Sequence, residues 1–552
     1  MSFDNTQYRA FLEELQDLAD FRLNYALDYP GAGLEGEDPD VKRIIEALAF
    51  FGARTQIAVM RSMDSTNRRL YQQFFSYLMT PLAAMAMIQA KPNGHLTEAL
   101  ELPAGTEFEL RPDQGGMVMF RTNRALRVLP MTLEGVRQEL LPESGIRLLL
   151  TFKANFPLNE QLETLSLHIN YLNDLALSLK VFNFLGRSLK SAGVQFGAYN
   201  PDQACTPCGF NLGAPPVDIT TDEWLHPLEV ERYYFHFPQQ ELYLDLDIPV
   251  APRNWKQFTV VLTCDQPWPR QLGLNRSLFH LFAVPLVNNQ RAMAQPIICD
   301  GTQEHYAIRH PMPDLGFSLQ KVLGVYEVGE LGMLPFRPGI LAGGNGSYEI
   351  EQGPPKDGGG YLYRVIPHFP ASFEEPRTLV IEALWQQPWY DMIVQSNYTL
   401  QAFRRQLPGV EWELLDTVIP HAENRQMDNI SRYMHLLTLM HAPSFSGQNM
   451  KDLLLALGSV SAGRFQGVFN SLIDVRLEEV PLGEAEAHKT RQTYYLCFKP
   501  QADGGLELID GFVRHVGQVL DFWLADAQVS VSWEVQDESG ETISGETILG
   551  KK

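Results

Sequence analysis

The apolar residues of this chain change their spacing once, near residue 80, and that change limits the fold more than any motif does. Before it they recur every three or four positions, the period of a helix face. After it short runs alternate every second position, the period of a strand. The pattern predicts a helical N-terminal region of about three helices, several β-rich domains, and a C-terminal domain in which helices and strands alternate. The fold class is α+β.

In the first helix Tyr8, Phe11, Leu12, Leu15, Leu18 and Ala19 share a face; Asp4 or Asn5 caps its start and Pro30-Gly31 ends it. In the second, Asp38 is the N-cap, Pro39 sits where its missing N–H costs nothing, and Val41, Ile44, Ile45, Leu48, Gly52 and Thr55 follow on one face. A third helix is expected from Asp64 or Ser65 to Met79, before Pro81.

Beyond residue 85, strands are predicted at Met117 to Phe120, Ala125 to Val128 and Gly145 to Phe152. Leu162 to Leu189 reads as a strand feeding a helix. Residues 205 to 222, polar and rich in proline, read as a long loop. Leu242, Leu244, Leu246 and Ile248 face away from Tyr243, Asp245 and Asp247, the pattern of a half-buried strand. Gly343-Gly344, Gly346, Gly353-Pro354-Pro355 and Gly358-Gly359-Gly360 mark a flexible loop between Tyr348-Glu349-Ile350 and Tyr361-Leu362-Tyr363. Helices follow at Asp428 to Met440, Met450 to Leu457 and Leu506 to Ala525, with strands at Tyr494 to Phe498 and Val529 to Val535. The expected divisions are 1–84, 85–215, 216–352 and 353–552. No internal repeat occurs at periods of about 20 to 50 residues.

The charge narrows the partners. Lys and Arg number 44 against 66 Asp and Glu, a formal charge of -22, which repels phosphate backbones and anionic lipid. No nucleic-acid partner is expected. The start, MSFDNTQ, lacks the basic flank and apolar core of a signal peptide, and Thr80 and Pro81 interrupt the apolar stretch Leu78 to Ala90. A cytoplasmic protein without direct membrane insertion is expected. Five cysteines, an odd number in a long chain, form no disulfide framework.

Catalytic patterns are incomplete. Cys205-Thr206-Pro207-Cys208 has the spacing of half a zinc site, but Cys264, Cys299 and Cys497 are scattered, so reduced thiols are the simpler reading. Ser459-Val460-Ser461-Ala462-Gly463 misses the first glycine of a nucleophile elbow. The glycine clusters lack the Lys-Ser/Thr of a phosphate-binding loop. Asp245 and Asp247 on one strand face could hold a cation or form a glycosidase-like pair, although an exposed strand face is expected to be polar. His305, His310, His421, His435 and His441 show no metal-ligand spacing. No catalytic residue, metal or cofactor is therefore assigned.

Asp38-Pro39-Asp40-Val41, followed by Arg43 to Phe50 and by Ala53-Arg54, closely resembles the opening of the TssF family of type VI secretion baseplate subunits. The resemblance continues through Leu102-Pro103-Ala104-Gly105-Thr106, Phe120-Arg121-Thr122, Leu162 to Leu185, and Glu231 to Pro238, which reads ERYYFHFP. It extends to Val284-Pro285-Leu286-Val287-Asn288 and Gln295-Pro296-Ile297, and in weaker form to Arg377 to Leu384. The third helix departs from the family, with Phe75-Ser76-Tyr77 in place of a Pro-containing stretch.

The resemblance implies a non-enzymatic scaffold of the baseplate wedge, related to phage tail wedge subunits and supporting sheath and tube assembly. Its implied partners are a TssG-like subunit, a second copy of itself, and TssK-like and TssE-like subunits, with docking to the membrane complex from the cytoplasmic face. Alternatives are a wedge subunit of another contractile injection machine, a zinc module on Cys205 and Cys208, and a β-rich carbohydrate-active enzyme using Asp245 and Asp247. The residues expected to meet a partner are Phe11, Leu12, Leu15 and Leu18 of the first helix and Ile44, Ile45 and Leu48 of the second. Part of that surface is expected to pack the two helices together.

Overall fold

The computed structural model describes residues 5–29, 39–112, 116–141, 145–213, 226–330, 332–339, 346–355, 361–369, 375–388, 398–405, 407–424, 430–460, 463–481, 490–500, 505–524, 527–536, 542–545 and 548–549. The N-terminus forms two long helices, α1 (Asn5–Asp28) and α2 (Pro39–Met79). The third helix expected from Asp64 or Ser65 is instead the continuation of α2. The break lies at Phe75, whose backbone (φ -128°, ψ 33°) leaves the helical region. Cap-type residues at 64 and 65 do not end a helix whose ladder runs on; Thr66 hydroxyl bonds back to Ser62 O at 2.9 Å, a pattern compatible with continued helix.

The first sheet has six antiparallel strands in the order Tyr398–Ala402, Glu107–Pro112, Val118–Thr122, Ala283–Val287, Met85–Pro92, Val410–Leu414. The second has eight, ordered Phe279–Leu281, Thr164–Ile169, Tyr243–Asp247, Thr206–Leu212, Leu189–Phe196, Trp255–Cys264, Ile146–Leu158, Met131–Leu140. Helix α3 (Leu175–Ser188) follows Thr164–Ile169 as predicted, capped by Asp174, which accepts from Leu177 N. The two sheets share one buried core, which includes Phe120, Phe152, Leu244, Phe258 and Leu286.

Two expectations fail here. Thr206–Leu212, read as loop, is an inner strand of the second sheet, paired to Leu189–Phe196 and Tyr243–Asp247. Its neighbours supply the backbone partners that its own polar sequence does not advertise. Tyr243, assigned to the polar face, is buried; its hydroxyl donates to Ala283 O at 3.1 Å because the first sheet covers that face.

A third sheet is built on Arg377–Gln386, which pairs with Gln290–Met293, Ile297–Cys299 and Ser318–Gly329. Gly332–Pro338, Ser347–Pro355, Tyr361–His368 and Tyr306–Ala307 extend it; Gly353-Pro354-Pro355, read as loop, ends the second of these strands across a register shift opposite Tyr361. The boundary expected between 352 and 353 cuts the antiparallel pair Ser347–Pro355 and Tyr361–His368. The first sheet likewise takes strands from three of the expected divisions, so the β segments interlock. The boundary expected near 215 lies outside the described residues.

Helix α4 (Pro227–His236) begins the central connection. The C-terminal part contains α5 (Ile430–Leu439), α6 (Gly447–Ala456), α7 (Gln466–Ser471) and α8 (Gly505–Trp523). Leu472–Pro481 pairs antiparallel with Thr490–Phe498, which pairs in parallel with Gln528–Gln536. A parallel pair needs a crossover, and α8 supplies it with one buried face. The alternating order expected for this part holds.

Candidate interaction surface

Helix α1 lies along α2 through small residues. Ala49 and Ala53 are buried, and a Cβ on Gly52 would stand 3.0 Å from Glu14 Oε2. The inner stripe of α2 is Val41, Ile45, Ala49, Ala53 and Ile57, spaced four apart. Of the seven residues singled out from sequence, Phe11, Leu15, Leu18 and Ile45 are half-buried. The other three face outward: Leu12 is 45% exposed, Ile44 59% and Leu48 57%. The structure thus divides the predicted set between the seam of the hairpin and its outer surface.

The outer surface is larger than those three residues. Phe51, 63% exposed, continues the stripe of Ile44 and Leu48, with Val59, Met60 and Met63 exposed further along α2. At the end of α1, Phe21, Tyr25 and the following Tyr29 form a ladder of rings with centroids 6.0 and 5.0 Å apart, with Leu23 and Leu27 also exposed. The sequence reading ended the stripe at Ala19, although Phe21, Tyr25 and Tyr29 continue it from Leu18 in steps of three and four. Exposed large apolar side chains thus recur along both helices of the hairpin.

The root of this arm is fixed by the ERYYFHFP segment. Tyr71, Phe75 and Leu78 of α2 are buried in the same core as Leu436, Met450, Phe512 and Val529 of the C-terminal part. Phe75 stacks on Trp523 at 6.3 Å. Arg232, fully buried, donates from Nε to Leu457 O at 2.8 Å, from Nη2 to Thr80 O at 2.9 Å, and from Nη1 to Tyr77 O. Burial lowers its guanidinium to about 10, while nearby Glu229 acts the other way. It therefore stays charged and saturates three carbonyls at the end of α2 and α6.

Its neighbours extend the clamp. His236 Nε2 lies 3.1 Å from Ala83 O, and Glu231 Oε2 lies 2.7 Å from Nδ1 of His515 on α8. Gln320 donates to the Tyr233 hydroxyl at 3.1 Å and to Pro81 O at 3.2 Å. Asn424 donates to Leu78 O and Ala456 O. Further out, Arg69 pairs with Glu349 at 3.2 Å, bracing α2 against the third sheet.

The other residues considered for chemistry are dispersed. Asp247 accepts from the Thr164 hydroxyl at 3.1 Å, and Asp245 Oδ1 is buried without a partner. Ser459 is buried in the turn after α6, with no strand before it, and Ser461-Ala462 lie outside the described residues, as do Gly343-Gly344 and Gly358 to Gly360. His310 is buried, His421 sits 3.6 Å from Glu423, and His435 sits 3.4 Å from Asp452. All five cysteines are free thiols. Among the described residues no group of three or more His, Cys, Asp and Glu side chains is placed to hold a metal ion, and no helix is long and apolar enough to cross a membrane.

Comparison with known proteins fixes the class. A chain in the cryo-electron microscopy structure of the type VI secretion system TssK-TssF-TssG baseplate subcomplex superposes with TM-score 0.71 at 17% identity, over 92% of this chain and 98% of that one. A second, from a structure of the baseplate complex of the type VI secretion system, gives TM-score 0.60 at 17% identity, over 98% and 99%. The fold is that of a type VI secretion baseplate protein.

The chain belongs to the TssF family: the family model for "Type VI secretion system, TssF" matches residues 4–338. The TssF1 component of Pseudomonas aeruginosa is 23% identical over 131 residues, a stretch that spans 22% of this chain and 21% of that protein.

Proposed function

We propose that this chain is a non-enzymatic structural subunit of the type VI secretion baseplate wedge. It forms a scaffold with a TssG-like subunit that supports sheath and tube assembly for contractile effector delivery. The observation that carries this reading is the apolar arm α1–α2, exposed along its outer face yet rigidly rooted by Arg232. A fold shared with a TssK-TssF-TssG subcomplex over 92% of the chain supports it. In this reading the further partners are a TssK-like subunit, a TssE-like subunit and a second copy of the chain. The assembly sits in the cytoplasm at the inner-membrane face, docked to the membrane complex.

The outward residues Leu12, Ile44 and Leu48 are the proposed partner contacts, together with Phe51. Phe11, Leu15, Leu18 and Ile45 hold the hairpin in shape. Co-purification with a co-expressed TssG-like subunit tests this. Leu48→Asp places a charge on the outer face only, so it is expected to abolish co-purification while circular dichroism stays that of the wild type. Leu15→Asp is expected to disturb the hairpin itself. Wild-type recovery of the partner by Leu48→Asp and by Ile44→Asp would remove the arm as the assembly element.

A further inference from the structure

A cavity of about 540 Å³ lies where the turn after Leu100–Leu102 and the strand Leu126–Val128 approach Thr164–Ile169 and Tyr243–Asp247. Its volume falls in the range of small-ligand pockets, about 300–1,000 Å³. Leu165 and Phe282 contribute apolar wall, and Thr164, Ser166 and Tyr243 contribute polar wall; Glu101 also lines the cavity, held 3.5 Å from Arg127.

Two arginines line it, and their situations differ. Arg127 has its charge balanced: it lies 3.2 Å from Glu160, 3.5 Å from Glu101 and 3.7 Å from Glu163, and donates to Gln161 O at 2.7 Å, although its Nε makes no hydrogen bond. Arg124 has no carboxylate within ion-pair distance among the described residues. Its guanidinium carbon sits 4.4 Å from the centre of the Tyr243 ring, and its Nη1 is shut off from solvent without a hydrogen-bond acceptor. The Tyr243 hydroxyl donates to Ala283 O and its oxygen interacts with the Arg124 side chain, which leaves Nη1 as the donor without an acceptor. Asp245, next on the same strand face, does not line the cavity.

A buried guanidinium N–H without an acceptor is costly, and in a chain of charge -22 an uncompensated cation is out of keeping with its surroundings. A carboxylate satisfies both its charge and its fork of donors. We propose that this cavity binds a carboxylate carried on an apolar body, with Arg124 as the anchor and the Ser166 side of the wall as a second polar contact. The carboxylate comes either from a free organic acid or from an acidic side chain of a neighbouring chain.

The probes are 3-phenylpropionate and its neutral analogue 3-phenylpropanamide, titrated calorimetrically into the full-length protein. The wild type is expected to prefer the carboxylate by about tenfold, a charge-assisted hydrogen-bond effect. Arg124→Gln is expected to lose that preference and Arg124→Lys to keep part of it. Equal binding of the two probes, no binding, or a preference that survives in Arg124→Gln overturns the proposal. The wild-type comparison stands even where a variant folds poorly. Repeating the titration on the complex with co-expressed baseplate partners separates the sources. Loss of probe binding there, with no organic acid released on denaturation, supports a partner's side chain. Retained binding supports a free acid.

Discussion

Arg232 on α4 donates to the carbonyl of Thr80, 152 residues earlier in the chain, at 2.9 Å. The bond closes the end of α2 at the point where helix gives way to the first strand. Carbonyls at a helix end have no intrahelical donor, and a buried end needs partners from elsewhere. Arg232 supplies them for Tyr77, Thr80 and Leu457 at once, which makes one guanidinium the junction of arm, sheets and C-terminal part.

Replacing it leaves these carbonyls buried and unpaired. Arg232→Met is expected to destabilise the junction by about 3 kcal/mol or more. Hydrogen exchange at residues 76–84 is expected to accelerate strongly, with the strands of the second sheet unchanged. Unaltered protection there would show that the three bonds contribute little.

The close approach of α1 and α2 depends on small side chains. Ala53→Leu is expected to cost about 1–3 kcal/mol by overpacking the seam. Phe51→Leu on the outer face is expected to stay within about 0.5 kcal/mol. Thermal melts by circular dichroism at 222 nm distinguish the two.

Burial pushes the thiols of Cys208, Cys264 and Cys299 up to about 11. At pH 7.5 they are almost entirely protonated and poor nucleophiles. Half-buried Cys205 is expected to react first with maleimide, and the remaining thiols are expected to label only after unfolding, as mass spectrometry of timed aliquots would record. The same samples, analysed for zinc, test the half-site spacing directly: one equivalent of metal that disappears in Cys205→Ser would replace the reading of reduced thiols.

Burial, reinforced by neighbouring His280, lowers His168 to about 3. An unfolded histidine takes up its proton near 6.5, so below that pH the unfolded state binds more protons and stability falls with pH until about 3. At pH 5 the loss relative to pH 7 is about 2 kcal/mol from this residue. His168→Gln, which can still donate to Gln239 O, is expected to show a smaller drop in melting temperature between pH 7 and pH 5 than the wild type.

The change of period near residue 80 made the arm and the β body legible, and the C-terminal order was legible for the same reason: α8 and its flanking strands each bury one face. The start of the third predicted helix was misplaced because Asp64 and Ser65 look like caps, while its end at Met79 agrees with α2; the break at Phe75 coincides with its stacking on Trp523, a contact that no local pattern reveals. Thr206–Leu212 was hidden for a related reason, since its hydrogen bonds are dictated by strands on either side. Ile44 and Ile45 are adjacent and equally apolar, yet one faces solvent and the other the seam. Only the position of α1 decides between them.

The buried root of α2 carries an implication for synthesis on the ribosome. Tyr71, Phe75 and Leu78 leave the exit tunnel early; of the side chains in their core, Leu228, Tyr234 and Phe235 follow mid-chain, and those from Leu436 to Val535 are the last to be made. Domains ordinarily complete themselves from the N-terminus as the chain emerges. Here the core at the root of the arm is completed only when nearly the whole polypeptide has been made. Truncated products therefore carry a sticky, unanchored arm, and production of this subunit depends on finishing the chain as much as on meeting its partners.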